Sequence, residues 1–230
     1  METAVTFRDT SRLALIGQIA LIICLIPVGL TLGALTGWAV LSPIMGMVVP
    51  LLAATWFLKR EGMGWRDIGF ARQMPMGRFL GFTALAVVAV YLFVFLGLRN
   101  ILSAAGLPPQ DVSSLARLLE GNTLYFLLFL LPVSWGSAAF GEELLVRGFM
   151  QNRLEILTRS PVWAVIAQAA IFALAHTYQG LTGVLMVFLI ALILGAVYIR
   201  CGRNLWPVIA AHGLIDTVAI TSLYLGWGWL

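Results

Sequence analysis

Apolar residues gather along this chain in long, nearly unbroken runs, and the polar positions between them are few and clustered. A run of about 20 apolar residues is the length a helix needs to cross a bilayer core of about 30 Å. Seven runs approach that length, at 13–35, 38–58, 79–98, 123–149, 162–178, 181–199 and 205–224. The pattern therefore predicts an all-α, polytopic transmembrane bundle of about seven membrane-spanning helices. The first run is too long and begins too late for a signal-peptide core, so it is expected to stay attached. Two connections are more than tethers. Residues 62–70 mix Trp65 and Phe70 with Arg66, which suits a segment lying at the headgroup level. The segment 99–122 carries Pro108-Pro109 and then Asp111-Val112-Ser113-Ser114, a start signal for a short surface helix over 115–119. There is no low-complexity tract, soluble linker or internal repeat. The expected organisation is one integral membrane domain, with N-terminal helices and loops in 1–122 and a chemistry-bearing core in 123–230.

Composition sharpens this picture. With 61% hydrophobic and 10% charged residues, the chain is too apolar for an ordinary soluble domain; its mean hydropathy is +0.98. The excess of 14 Lys+Arg over 10 Asp+Glu is modest, and its placement points to membrane topology rather than to nucleic acid. Eleven basic residues (Arg8, Arg12, Lys59, Arg60, Arg66, Arg72, Arg78, Arg153, Arg159, Arg200 and Arg203) fall on one side of the predicted bundle, and only Arg99 and Arg117 on the other. The positive-inside rule makes the first side cytoplasmic, with the N-terminus there and the C-terminus external. Trp227 and Trp229 would then anchor the outer interface. Cys24 and Cys201, with no CxxC neighbour, are expected to be buried packing residues. Membrane lipid is the implied surroundings, and no soluble partner is predicted.

Against this apolar background the ionisable groups stand out, because a charge at mid-membrane costs roughly 2.5–3.5 kcal/mol on insertion scales and usually faces a bundle interior. Gly141-Glu142-Glu143-Leu144-Leu145-Val146-Arg147 continues a helical run. Residues four apart share a helix face, so Glu143 and Arg147 can pair, acid first. Glu142 points about 100° away and has no basic residue at i+3 or i+4, leaving a carboxylate available as a general base. The alternative is a structural polar cluster holding helices together. Phe172 and His176 share a second face, and His212 and Asp216 a third, where the carboxylate can orient the imidazole. A lone histidine such as His176 also suits simple packing.

At about 1.5 Å per residue, Glu142, His176 and His212 would sit roughly 16, 22 and 13 Å from the cytoplasmic helix ends, so they can converge. A plain hydropathy window would end the fourth helix near Phe140, so convergence demands a longer or tilted helix.

Glu142-Glu143-x-x-x-Arg147, Phe172-x-x-x-His176 and His212-x-x-x-Asp216, in that order on separate membrane helices, resemble the motifs EExxxR, FxxxH and HxxxN or HxxxD of the CPBP intramembrane proteases. That family includes CAAX prenyl endopeptidases and bacteriocin-processing relatives. The resemblance runs from about Thr123 to the C-terminus and takes in both histidines of the chain. It implies an endopeptidase with a water-accessible cavity opening to the cytoplasm, acting on a peptide or lipidated protein substrate. Glu142 would activate water, and His176 and His212 would position it, shuttle its proton or stabilise charge. Glu143 and Arg147, with Phe172, would support the site, and Asp216 would orient His212.

The family has been described both as glutamate-dependent and as metalloproteases. No cofactor is required on the first description; on the second, Glu142, His176 and His212 would be the ligands of a zinc ion. A proton-coupled transporter or a non-catalytic peptide-binding or immunity protein remains the alternative function. The compactness of the chain suits a bacterial cell membrane.

Overall fold

The computed structural model describes residues 10–70 and 73–227; Arg8, Arg72 and Trp229, invoked above for topology and anchoring, lie outside the described residues. Helix starts follow local chemistry. Ser11, Asn122, Ser160 and Asn204 each accept a hydrogen bond from a backbone N–H two or three residues on, and Pro161 follows Ser160 at the first helical position. The helices are α1 (Arg12–Ala34), α2 (Leu41–Arg60), α3 (Met76–Ala104), α4 (Ser113–Leu119), α5 (Thr123–Thr158), α6 (Pro161–Leu174), α7 (Gly180–Arg200) and α8 (Leu205–Tyr224). Within α5, residues Phe129–Gln151 adopt the wider π-type turn.

Among the described residues, six helices are long and apolar enough to cross a membrane, and α6, at 14 residues, is the shorter remnant of the seventh predicted run. The chain is an integral membrane, polytopic helical protein. The α6 run ends early because the backbone turns at residues 175–180, through a short 3₁₀ turn and Gly180 at φ 74°. Helix α5 continues for 36 residues, well past Phe140, which supplies the longer helix that convergence of the motifs demanded.

Small residues set the closest helix approaches. A Cβ at Gly33 would fall 2.3 Å from the Leu41 carbonyl oxygen, so α1 and α2 touch backbone to backbone. Gly213 on α8 faces the Trp135 ring of α5, where a Cβ would come within 2.6 Å.

Side-chain contacts define the two ends of the bundle. At one, Arg203 makes a bidentate bridge to Glu155 (2.6 and 2.8 Å), joining the α7–α8 turn to the last turns of α5. Arg153 bonds both Gln18 of α1 and Glu61 after α2, each at 2.6 Å. This is the basic end. At the opposite end the segment before α4 meets the turn between α6 and α7. Asp111 N–H donates to the Gln179 carbonyl (3.0 Å), Gln110 to the Gln179 side chain (2.7 Å) and Thr182 to the Pro108 carbonyl (2.6 Å).

Two expectations are corrected. Segment 62–70 does not lie at the surface. Ile68 is fully buried, its carbonyl accepts from the Tyr198 hydroxyl at 3.0 Å, and the Gly69 carbonyl accepts from Leu205 N–H at 3.1 Å. Phe70 packs edge-on against Phe140, with centroids 5.5 Å apart. The segment plugs the basic end because its apolar side chains and its backbone carbonyls both find partners inside the bundle. Cys24 is exposed on α1 rather than buried, whereas Cys201 is buried as expected. The helix predicted before Leu119 forms, with Asp111 accepting from Ser113 N–H at 3.0 Å, but Leu119 is fully buried against Phe129 and Ile220.

Candidate active site

The centre of the site is a buried carboxylate with two partners. Glu143 and Arg147 are both fully buried, and Arg147 Nη1 donates to Glu143 Oε1 at 2.8 Å, one helical turn apart on α5. Arg147 also donates to the Ala191 carbonyl of α7 at 3.4 Å, and its guanidinium lies 5.3 Å from the centre of the Phe172 ring on α6. The pair thus touches three helices. The same Glu143 oxygen lies 2.8 Å from Nδ1 of His212. A carboxylate can only accept, so Nδ1 carries the proton and the opposite nitrogen, Nε2, keeps its lone pair.

Asp216, one turn further along α8, has Oδ1 3.7 Å from His212 Nε2. The short orienting contact to His212 is therefore made by Glu143, and Asp216 stands on the reactive side of the ring. Trp135 of α5 donates to the Thr217 hydroxyl at 3.1 Å and packs on Gly213, which fixes the seam between α5 and α8 at this level.

His176 follows the end of α6. Its Nδ1 sits 2.9 Å from the Phe172 carbonyl, which can only accept, so His176 also presents Nε2. Its ring lies 4.7 Å from Phe172 and 5.8 Å from Tyr178. Phe172 consequently bridges Arg147 and His176.

Glu142, half-buried, makes no hydrogen bond or ion pair with any described residue. It lies within electrostatic reach of His212, Asp216 and Tyr178. The structure thus brings Glu142, Glu143, Arg147, His212 and Asp216 into one group. His176 joins that group through Phe172 and Tyr178, with no direct hydrogen bond to Glu142 or His212.

The donor set for a metal is a separate matter. Among the described residues, no three His, Cys, Asp or Glu side chains gather closely enough to hold a metal ion. Glu142, His176 and His212, as placed, do not fit a three-ligand zinc site.

The sequence reading missed Trp135, Thr217, Tyr178 and Gln179. Thr217 and Tyr178 are chain neighbours of the motifs, but Trp135 and Gln179 gain their roles only from tertiary contacts.

Residues 123–218 match the family model described as type II CAAX prenyl endopeptidase Rce1-like. The match begins with α5 and includes all seven motif residues. No curated protein and no solved structure matches the chain. Over 123–218, the chain belongs to the CAAX and CPBP protease family that its three motifs resemble.

Proposed function

We propose that this protein is an intramembrane endopeptidase that hydrolyses peptide bonds of membrane-associated substrates, with Glu142 as the base that activates water. The observation carrying this reading is the division of labour between adjacent acids. Glu143 is fully engaged by Arg147 and His212, whereas Glu142 is left unpaired beside the imidazole. A purely structural cluster gives no reason for an unpaired carboxylate at this depth, since buried charges are ordinarily paired.

In the proposed reaction, Nε2 of His176 and of His212 accept hydrogen bonds from a water and aim its lone pair. Glu142 removes its proton, and the hydroxide adds to the substrate carbonyl carbon. The tetrahedral intermediate collapses as the C–N bond breaks, and the proton held by Glu142 passes to the leaving nitrogen. The two products are a new carboxylate and a new amine. Glu143 and Arg147 hold His212 and the α5 face in register. Prenylated CAAX-type proteins are the substrate class that the family description suggests for this chain.

Purified protein in liposomes, incubated with a membrane-peptide library and read by mass spectrometry, tests the reading. Glu142→Gln keeps shape and removes the base, so cleavage should fall by about 10²–10⁴-fold while the bundle stays folded. Full cleavage by that variant, or inhibition of the unmodified protein by a permeant chelator with recovery on adding zinc, overturns the glutamate route. A proton-coupled transporter would show no products at all.

A further inference from the structure

A peptide must reach Glu142 from one end of the bundle, and the two ends differ sharply in burial. Towards the basic end, every residue of α5 from 143 to 154 is buried. The facing start of α8 is closed as well, with Leu205 and Val208 fully buried and Ile209 only 4% exposed. Segment 62–70 plugs what remains through Ile68 and Phe70. Towards the opposite end the same helices open. Glu142, His176, Asp216 and Thr217 are part-exposed, and Tyr178 is 71% exposed.

The rim at this end is built rather than loose. Gln179 donates to the Tyr178 hydroxyl at 3.0 Å while its side-chain carbonyl accepts from Gln110 and its backbone carbonyl from Asp111. The segment before α4 therefore fixes the turn that carries His176 and Tyr178.

Charge placement supplies the sidedness. The basic residues cluster at the plugged end, and only Arg99 and Arg117 flank the open one. The positive-inside rule puts the plugged end in the cytoplasm.

We infer that the catalytic group is entered from the end opposite the basic loops, past Tyr178 and the 108–111 rim, and that its substrate is a membrane-associated peptide presented at the extracytoplasmic face. The inference rests on the peptidase reading for its substrate but not for its direction. It reverses the cytoplasmic opening that the family resemblance implied.

Single-cysteine reporters read the direction without needing turnover. In a Cys24→Ala, Cys201→Ser background, Thr177→Cys at the rim, Ser114→Cys on α4 and Lys59→Cys at the basic end are treated with a membrane-impermeant maleimide on sealed, right-side-out membranes. Thr177→Cys and Ser114→Cys should label from outside, and Lys59→Cys only after the vesicles are inverted. A bulky maleimide on Thr177→Cys should also block cleavage, while the same adduct on Lys59→Cys should not. Leu181→Cys, 60% exposed beside the same rim, replaces Thr177→Cys if the latter is not monodisperse in detergent. Labelling of the rim cysteine from the same side as Lys59→Cys, or from neither side, overturns the inference. Labelling as expected in a protein that cleaves nothing leaves the entry route standing and defeats the peptidase reading alone.

Discussion

His212 sits between two acids that do different things. Glu143 holds the proton-bearing nitrogen at 2.8 Å, and Asp216 faces the other nitrogen at 3.7 Å. Substituting the two acids should therefore have unequal effects. Asp216→Asn keeps the size of the side chain and trades a charge for an amide that can donate to Nε2 or to an oxyanion. We expect it to retain cleavage within about tenfold, a loss near 1.4 kcal/mol of transition-state stabilisation. Glu143→Gln instead leaves the fully buried Arg147 without its anion, and breaking a buried pair typically costs about 3–5 kcal/mol. It should lower the melting temperature in detergent and abolish cleavage together. Equal loss of activity from both variants, with no loss of stability in Glu143→Gln, would contradict this division of roles. The i to i+4 spacings of the three motifs were legible in the sequence because helix geometry alone puts those residues on one face. The choice of Glu143 over Asp216 as the orienter of His212 was not legible. It depends on how α5 and α8 are rotated against each other, which Trp135 and Gly213 decide.

At the scale of elements, glycine positions separate contact from mere sequence. Gly33 and Gly17 lie on the same helix, α1, yet a Cβ at Gly33 would collide with the α2 backbone at 2.3 Å, whereas at Gly17 nothing lies within 4 Å. Gly17→Ala should be neutral or stabilising by about 0.5–1 kcal/mol, because alanine favours a helix interior over glycine by that amount. Gly33→Ala should destabilise by about 1–3 kcal/mol, the usual cost of forcing atoms into a packed contact. Thermal unfolding in one detergent compares the two directly, and a reversed order would mean that α1 and α2 do not pack as described. Six crossing helices were legible as apolar runs. The passage of α5 through 141–153 was obscured because Glu142, Glu143, Arg147, Gln151, Asn152 and Arg153 lower local hydropathy while satisfying one another inside the bundle. The plug at 62–70 was hidden for a related reason. An aromatic, basic segment reads as interfacial unless its buried partners, Tyr198 and Leu205, are known.

Across the whole molecule, charge does two jobs at the basic end. Some of the arginines that set topology by number are also internal fasteners. Arg153 is fully buried, stacks 3.4 Å from the centre of the Phe149 ring, and bonds Gln18 and Glu61. Gln18 in turn donates to Glu61 at 2.7 Å, so α1, the end of α2 and α5 are tied in one triangle. This triangle lies at the plugged end, away from Glu142, and so stability and catalysis should be separable there. Glu61→Ala leaves the buried guanidinium without that carboxylate, and we expect a loss of about 3–5 kcal/mol. Cleavage per folded molecule should be unchanged, since no catalytic side chain touches the triangle. Replacing both charges, as Glu61→Leu with Arg153→Met, removes the desolvation cost along with the attraction and should recover most of the stability. The measurement is a melting curve alongside turnover normalised to the folded fraction. Turnover that falls in Glu61→Ala at full folding would mean that the basic end is coupled to the catalytic group through α5 rather than merely holding it in place.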